Sequence, residues 1–356
     1  MLAIKSPNGY FQQPGLCART GSYLQPFAAD IRIFTSPTAW QAVNPQLSQS
    51  LEQHGIRWQL EYLAGECTQQ AIETLQQNIV AQGAGLLLAI GGGRVMDAAK
   101  AAGAQLPAVK VVNMPTLAAT CAAWSPVSII YDAQGGHLRS QLLPAMPEMV
   151  LVDSEVIARS DVRYLKAGMV DALAKLFEFR PYQRNNPDNL SLQLKMLPAR
   201  QALDIFTEYA DQAIADNQAG KVTPALIKVI EANIVFAGLS NSVRDTLATP
   251  GFAHAIHNRL THQPELHHWL HGEKVGFCLL IQSLMENNGK ADSGLLALLQ
   301  RYDSPLRLPN LAGERAEVIR AIAGAVRFPP QSAAMLPFDI SPAALEKAFT
   351  LADTLF

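Results

Sequence analysis

Gly85-Leu86-Leu87-Leu88-Ala89-Ile90-Gly91-Gly92-Gly93-Arg94-Val95-Met96-Asp97-Ala98-Ala99-Lys100 is the stretch that decides how this chain is read. Gly85 to Ile90 is a short apolar run of the kind found in strands buried on both faces. Three glycines stop it, and Val95 to Ala104 has the composition of a helix. Glycine lets a backbone approach a bulky group, and a helix start offers free N–H groups to an anion. A pyrophosphate fits that description, and so does a plain tight turn. The GxGxxG dinucleotide fingerprint is absent.

The same alternation continues on both sides. Ile31 to Phe34 reads as a strand ending at Thr35-Ser36-Pro37, and Gln69 to Gln82 has helical spacing of apolar residues. Val109 to Met114, Val127 to Tyr131 and Met149 to Val152 read as further strands. Strands separated by helices imply βαβ units and a mostly parallel sheet. After Asp153 the strand signals nearly vanish. Ser160 is placed to cap a helix running to Phe179, Thr223-Pro224 opens one through Phe236, and Ser341-Pro342 opens one to Leu351. The expected fold is α/β plus all-α: a Rossmann-like parallel-sheet domain over residues 1–158 and a helical domain over 159–356, with a cleft between them.

Composition excludes several classes of function. The chain has 356 residues, and a prior of roughly 150 per domain allows two or three domains. Only 16% of residues are charged, against about 25% in an average domain, and the net charge is −2. That leaves no basic face for nucleic acid. The four cysteines are scattered and form no CxxC pair, against a disulfide framework or a cysteine-built zinc site. The opening MLAIKSPNGYFQQPG lacks the charged-then-apolar pattern of a signal peptide, and no apolar run is long enough to cross a bilayer. A soluble cytoplasmic protein with a small-molecule substrate is expected.

Two further patterns carry chemistry. Six of the eight histidines fall between His254 and His271, and neutral imidazole suits zinc and iron. They are His254, His257, His262, His267, His268 and His271, and their spacing alone does not choose the ligands. Asp171, Lys175 and Glu178 fall on one helix face. Such a stripe is commonly an exposed run of ion pairs. Asp171, however, sits among apolar residues, and a buried carboxylate needs a partner that a metal could supply.

These segments together carry a family resemblance. GGGRVMDAAKAAG (91–103), PTLAAT (115–120), SPVSIIYD (125–132), VLVDSEVIA (150–158), GMVDALAKLFE (168–178), VTPALIKVIEANIVFAGL (222–239), HAIHN (254–258) and HGEKVGF (271–277) occur in the order seen in metal-dependent, iron-type alcohol dehydrogenases. The chain resembles the glycerol dehydrogenase-like branch of that superfamily. The resemblance implies a fold like that of dehydroquinate synthase and a homo-oligomer. It implies Asp171, His254 and His271 as ligands of zinc or ferrous iron. It also implies a nicotinamide dinucleotide held by Gly92, Gly93, Asp97, Thr116, Ser125, Val127 and Tyr131. Lys175 stands where other branches have a fourth ligand, a histidine, which agrees with the zinc-using branch.

Two departures shape the expected activity. Glycerol dehydrogenases carry a substrate-binding aspartate where this chain has Cys121. With that carboxylate gone, Lys175 or Arg244 could pair with an anionic substrate, and the pattern resembles a hydroxycarboxylate dehydrogenase subgroup. Reduction of a 2-oxo acid to a 2-hydroxy acid is therefore the expected reaction, with glycerol or another polyol as the alternative. A non-catalytic sensor on the same fold is the reading from a different class. Dehydroquinate synthase itself and the polyol-phosphate dehydrogenases need a basic set that 254–274 lacks. The first strand ends at Ser36 rather than at an acid, so NADP is expected to be accepted beside NAD, since a carboxylate there would repel the 2′-phosphate.

Overall fold

A computed structural model describes residues 2–246 and 248–356, so Met1 and Leu247 lie outside the description that follows. Its strands in chain order are β1 (Ala3–Ile4), β2 (Gly9–Gln13), β3 (Asp30–Thr35), β4 (Arg57–Tyr62), β5 (Leu86–Gly91), β6 (Lys110–Pro115), β7 (Val127–Tyr131), β8 (His137–Leu142), β9 (Met149–Asp153) and β10 (Val243–Arg244). Six form one sheet in the spatial order β2-β9-β6-β5-β3-β4. Every pairing in it is parallel. A parallel sheet must be covered on both faces, and β5 meets that demand with all six residues buried. Leu87 and Ala89 pack with Ile72 and Leu75 of the helix Gln69–Gln82 and with Ala98 and Ala102 of the helix Gly93–Gly103. Leu86, Leu88 and Ile90 point to the opposite face, against Leu47 and Leu51 of the helix Gln46–Gln53.

The order of the strands positions a crevice. From β3 the chain runs outward to β4, then passes back across β3 to reach β5. The helix that follows β3 (Pro37–Val43) lies on one face of the sheet, and the helix that follows β5 lies on the other. The carboxyl ends of β3 and β5 thus flank a topological switch point, where open parallel sheets bind ligands. Only one of the three central glycines has a backbone that demands glycine. Gly91 has φ +151°, and a Cβ there would also crowd Val95 at 3.1 Å.

Two expectations need correction, and two strands went unread. The strand at 127–131 does not join the parallel sheet: β7 pairs antiparallel with β8 as a separate hairpin. Its turn is tied by Asp132, whose carboxylate accepts from the N–H groups of Gln134 and Gly136. A parallel neighbour would need a crossover of a dozen residues, and this connection is too short for one. Strands β2 and β4 went unread because they are the sheet's two edges, with no fully buried residue to give an apolar signal. The helix expected from Ser160 starts one residue later. Asp161 is its cap, accepting from the Arg163 N–H at 2.8 Å, and it runs from Val162 to Asn185.

Beyond Asp153 the regular elements among the described residues are helices, apart from the short bridge of β10 with β1. Thr223 and Ser341 cap their helices as expected. The first of these is not continuous: a π-helical turn at Ala232–Phe236 interrupts it before Ala237–Ser242. Within that turn Asn233 donates to the carbonyls of Ala118 and Leu165, tying the loop after β6 to the helix Val162–Asn185. Among the described residues no helix is long and apolar enough to cross a membrane.

Candidate metal centre

Three helices bring one side chain each to a common point. Asp171 lies midway along Val162–Asn185, His254 in the first turn of Phe252–Leu260, and His271 at the start of His271–Glu286. Asp171 Oδ1 is 3.5 Å from His254 Nε2 and 3.4 Å from His271 Nε2. One ligand atom from each lies within 4.8 Å of the other two. A carboxylate with two imidazoles is a donor set that holds zinc or iron and leaves positions open. Asp171 is 2% exposed, and a carboxylate buried that deeply needs cationic partners. The residues therefore fit a divalent cation. The close approach of the helices depends on missing side chains. A Cβ on Gly272 would lie 1.9 Å from the Ala167 carbonyl oxygen, and one on Gly168 would lie 1.9 Å from that of Ala118.

The stripe Asp171, Lys175 and Glu178 is wholly buried, which overturns the reading of it as exposed ion pairs. Lys175 does not reach toward a substrate carboxylate. Its Nζ donates to Asp171 Oδ1 at 2.9 Å and to the Asp171 carbonyl at 3.1 Å. Burial favours the neutral acid, yet Lys175 and the two imidazoles outweigh it and hold the Asp171 carboxyl well below its usual range. Glu178 accepts from the His254 backbone N–H and from its ring Nδ1, each at 2.8 Å. Burial opposes a charge on His254, but Glu178 and Asp171 prevail and lift it to about 9. Burial instead pushes His271 down and His257 far down. His257 packs against His271 with ring centroids 4.4 Å apart. The remaining three members of the histidine run lie elsewhere: His262 bonds the His137 carbonyl of the β7–β8 hairpin, His267 bonds the carbonyl of Thr261, and the His268 ring meets Trp269 edge-on.

The glycine turn lies beside this cluster, across the loop after β6. A Cβ on Gly93 would meet Thr120 and Ala122 at 3.6 Å, and the Thr116 N–H bonds the Gly91 carbonyl. Cys121 lies between them, 4% exposed, and Asn241 Nδ2 donates to its sulfur at 3.5 Å. Burial pushes its thiol up to about 11. Asp97, Ser125 and Val127 form one network. Lys100 Nζ binds Asp97 Oδ1 and the carbonyls of Ser125 and Val127, while Asp97 Oδ2 accepts from the Ile129 N–H. The Asp97 carboxylate thus anchors β7 to the helix after the glycines. Tyr131, at the end of β7, stands beside Cys67 through its backbone N–H. Ser36 caps the helix after β3 by accepting from the Ala39 N–H. Gly92 is the cap residue of the helix after β5 and has no side chain to occupy the N–H groups there. Arg244, in β10, pairs with Ala3 of β1 and lies near Lys195; it is not among the residues that converge on the metal centre.

Sequence reasoning named the converging residues Asp171, His254 and His271 through the resemblance. It missed what Glu178, Gly272 and Asn233 do. Each acts on a partner far away in the chain, and none leaves a local pattern.

A family model for iron-containing alcohol dehydrogenase matches residues 7–154. A glycerol dehydrogenase of Pseudomonas putida is 32% identical over 360 residues, covering 99% of this chain and 97% of that protein. Hydroxycarboxylate dehydrogenase A of Escherichia coli (strain K12) is 30% identical over 359 residues, covering 97% of this chain and 96% of that protein. The crystal structure of a probable glycerol dehydrogenase from Sinorhizobium meliloti 1021 superposes with a TM-score of 0.85 at 29% identity, over 99% of this chain and 98% of that one. With similarity of this extent along its whole length, the chain belongs to the iron-containing alcohol dehydrogenase family, in its glycerol dehydrogenase-like branch.

Proposed function

We propose that this chain is a metal- and nicotinamide-dependent dehydrogenase of small polyols. The observation that carries the reading is the meeting of Asp171, His254 and His271 beside a glycine turn at the sheet's switch point. A divalent cation on those three residues would supply Lewis acidity to a substrate oxygen, and a nicotinamide dinucleotide would supply the hydride acceptor or donor. The protein's own part is placement. Gly91, Gly92 and Gly93 leave backbone open for a pyrophosphate, with Thr116 bordering the turn and Ser36 at the adjacent strand end. The Asp97–Lys100 pair holds Ser125, Val127 and, through the strand, Tyr131 along the floor. Cys121 and Trp124, both buried, help to exclude water from the substrate side.

The reduction of 2-oxo acids is the second reading. Cys121 favours it, because no carboxylate at that position repels an anion, and the hydroxycarboxylate dehydrogenase relative agrees. Lys175 does not support it, since its ammonium is spent on Asp171. Glycerol dehydrogenases are the more similar relatives. Rates with glycerol, 1,2-propanediol and 2-oxobutanoate, with NAD(H) and NADP(H), before and after chelation, decide between the two. Turnover of the diols that chelation removes and zinc restores supports the polyol reading. Turnover of 2-oxobutanoate alone supports the other.

Ser36 gives a separate prediction on the cofactor. Ser36→Asp preserves the helix cap, because aspartate caps as well as serine. It also places a carboxylate where the adenosine ribose would lie. The expected outcome is a fall of about tenfold or more in kcat/KM for NADPH with that for NADH retained. Equal losses for both cofactors would place Ser36 away from the ribose.

A further inference from the structure

His254 belongs to a helix that cannot cap itself. Its cap position is Gly251, which offers no side chain. The N–H groups of its first turn are taken instead by side chains of the two helices that carry Asp171 and His271. Glu178 Oε1 accepts from the His254 N–H at 2.8 Å, and Gln282 Oε1 accepts from the Ala253 N–H at 3.1 Å. Glu178 does more than cap. Its other oxygen, Oε2, takes the hydrogen of His254 Nδ1 at 2.8 Å. One carboxylate thus fixes both the backbone and the ring of the same residue. A carboxylate that only accepts puts the ring proton on Nδ1 and leaves Nε2 to face Asp171. Room for it exists because residue 251 is glycine: a Cβ there would lie 2.1 Å from Glu178 Oε1. Glu178 is 3% exposed, and its hydrogen bonds to His254 account for its burial.

We infer that Glu178 is the positioning residue of the metal centre, setting the ring orientation and tautomer of His254 so that Nε2 is the atom offered to the cation. This rests on the proposed metal-dependent reading. Outer carboxylates on ligating histidines raise ligand basicity and typically carry a ten- to hundredfold share of affinity. Gln282 caps the same turn without touching the ring, and so separates positioning from packing.

The test is zinc affinity, measured by chelator competition on the full chain. Glu178→Gln is expected to bind zinc about 10- to 100-fold more weakly. Gln282→Ala is expected to lower the melting temperature while keeping zinc affinity within about threefold. Equal weakening in both variants, or none in Glu178→Gln, overturns the inference. Should Glu178→Gln fail to fold, the imidazole nitrogen spectrum of zinc-loaded wild type decides. A protonated Nδ1 and a zinc-bound Nε2 on His254 are expected, and the reverse assignment overturns the inference. Wild type that binds no zinc would instead overturn the metal-dependent reading itself, an outcome distinct from either.

Discussion

Asp171→Asn is expected to abolish stoichiometric zinc binding and to lower kcat/KM by about a thousandfold or more, the equivalent of the several kcal/mol that a Lewis acid supplies. The substitution keeps the side chain's shape, so the loss reports on charge. It is also expected to destabilise the protein. Lys175 is 4% exposed, and its Nζ has the Asp171 carboxylate at 2.9 Å as its counter-charge. Removing one partner of a buried pair leaves the other charge uncompensated, at about 3 kcal/mol or more. The two effects separate in a double variant. Asp171→Asn with Lys175→Met removes both charges, so most of the lost stability should return while zinc binding and turnover stay absent. Unfolding curves and metal analysis of the single and double variants check this. A single variant with one tightly held zinc and near wild-type turnover would remove Asp171 from the ligand set.

The Lys175–Asp171 pair shows where sequence ran out. The four-residue spacing made the two neighbours on a helix, and that was legible. Whether the stripe faced water or the interior was not, because the answer lies in the helices packed over it. Seen alone, a lysine near a cleft could serve a substrate anion as well as a buried carboxylate. Burial decided for the carboxylate.

The fold divides along the same line. Strand β5 and its two flanking helices could be read because every residue of the strand is buried, so the apolar run was unbroken. Strands β2 and β4 could not, because edge strands such as GYFQQ and RWQLEY keep polar residues. Strand β7 was found but misplaced. A strand's existence is local, whereas its partner is set by the length of the next turn. At the site, the histidine run announced imidazole chemistry without choosing among six rings. Packing chose: His254 and His271 turn to Asp171, and His262 and His267 bond backbone carbonyls. Glu178 lies 76 residues from His254, a separation at which no spacing rule operates.

The close crossing of the Asp171 and His271 helices leads to the second large effect. Gly272 directly follows a proposed ligand, and a Cβ on it would lie 1.9 Å from the Ala167 oxygen, 2.6 Å from the Ala167 carbonyl carbon and 3.0 Å from its Cα. These are backbone atoms of the neighbouring helix, so no side chain can swing aside. Gly272→Ala must push the two helices apart by an ångström or so, against a core in which Val275, Leu279 and Leu173 are buried. Overpacking of a core commonly destabilises by about 1–3 kcal/mol, and a clash with main chain belongs at or above the top of that range. Because His271 is the preceding residue, the same shift carries its Nε2 away from Asp171. Zinc affinity should fall with stability, which a clash remote from the site would not produce. Gly324→Ala is the natural control. That glycine is also helical, a Cβ there meets nothing within 4 Å, and the change should stabilise by up to about 1 kcal/mol through helix propensity. Thermal unfolding and chelator competition on both variants check the argument. If Gly272→Ala melts within about two degrees of wild type and holds zinc as tightly, the crossing is looser than described and glycine is not what lets the two ligands meet.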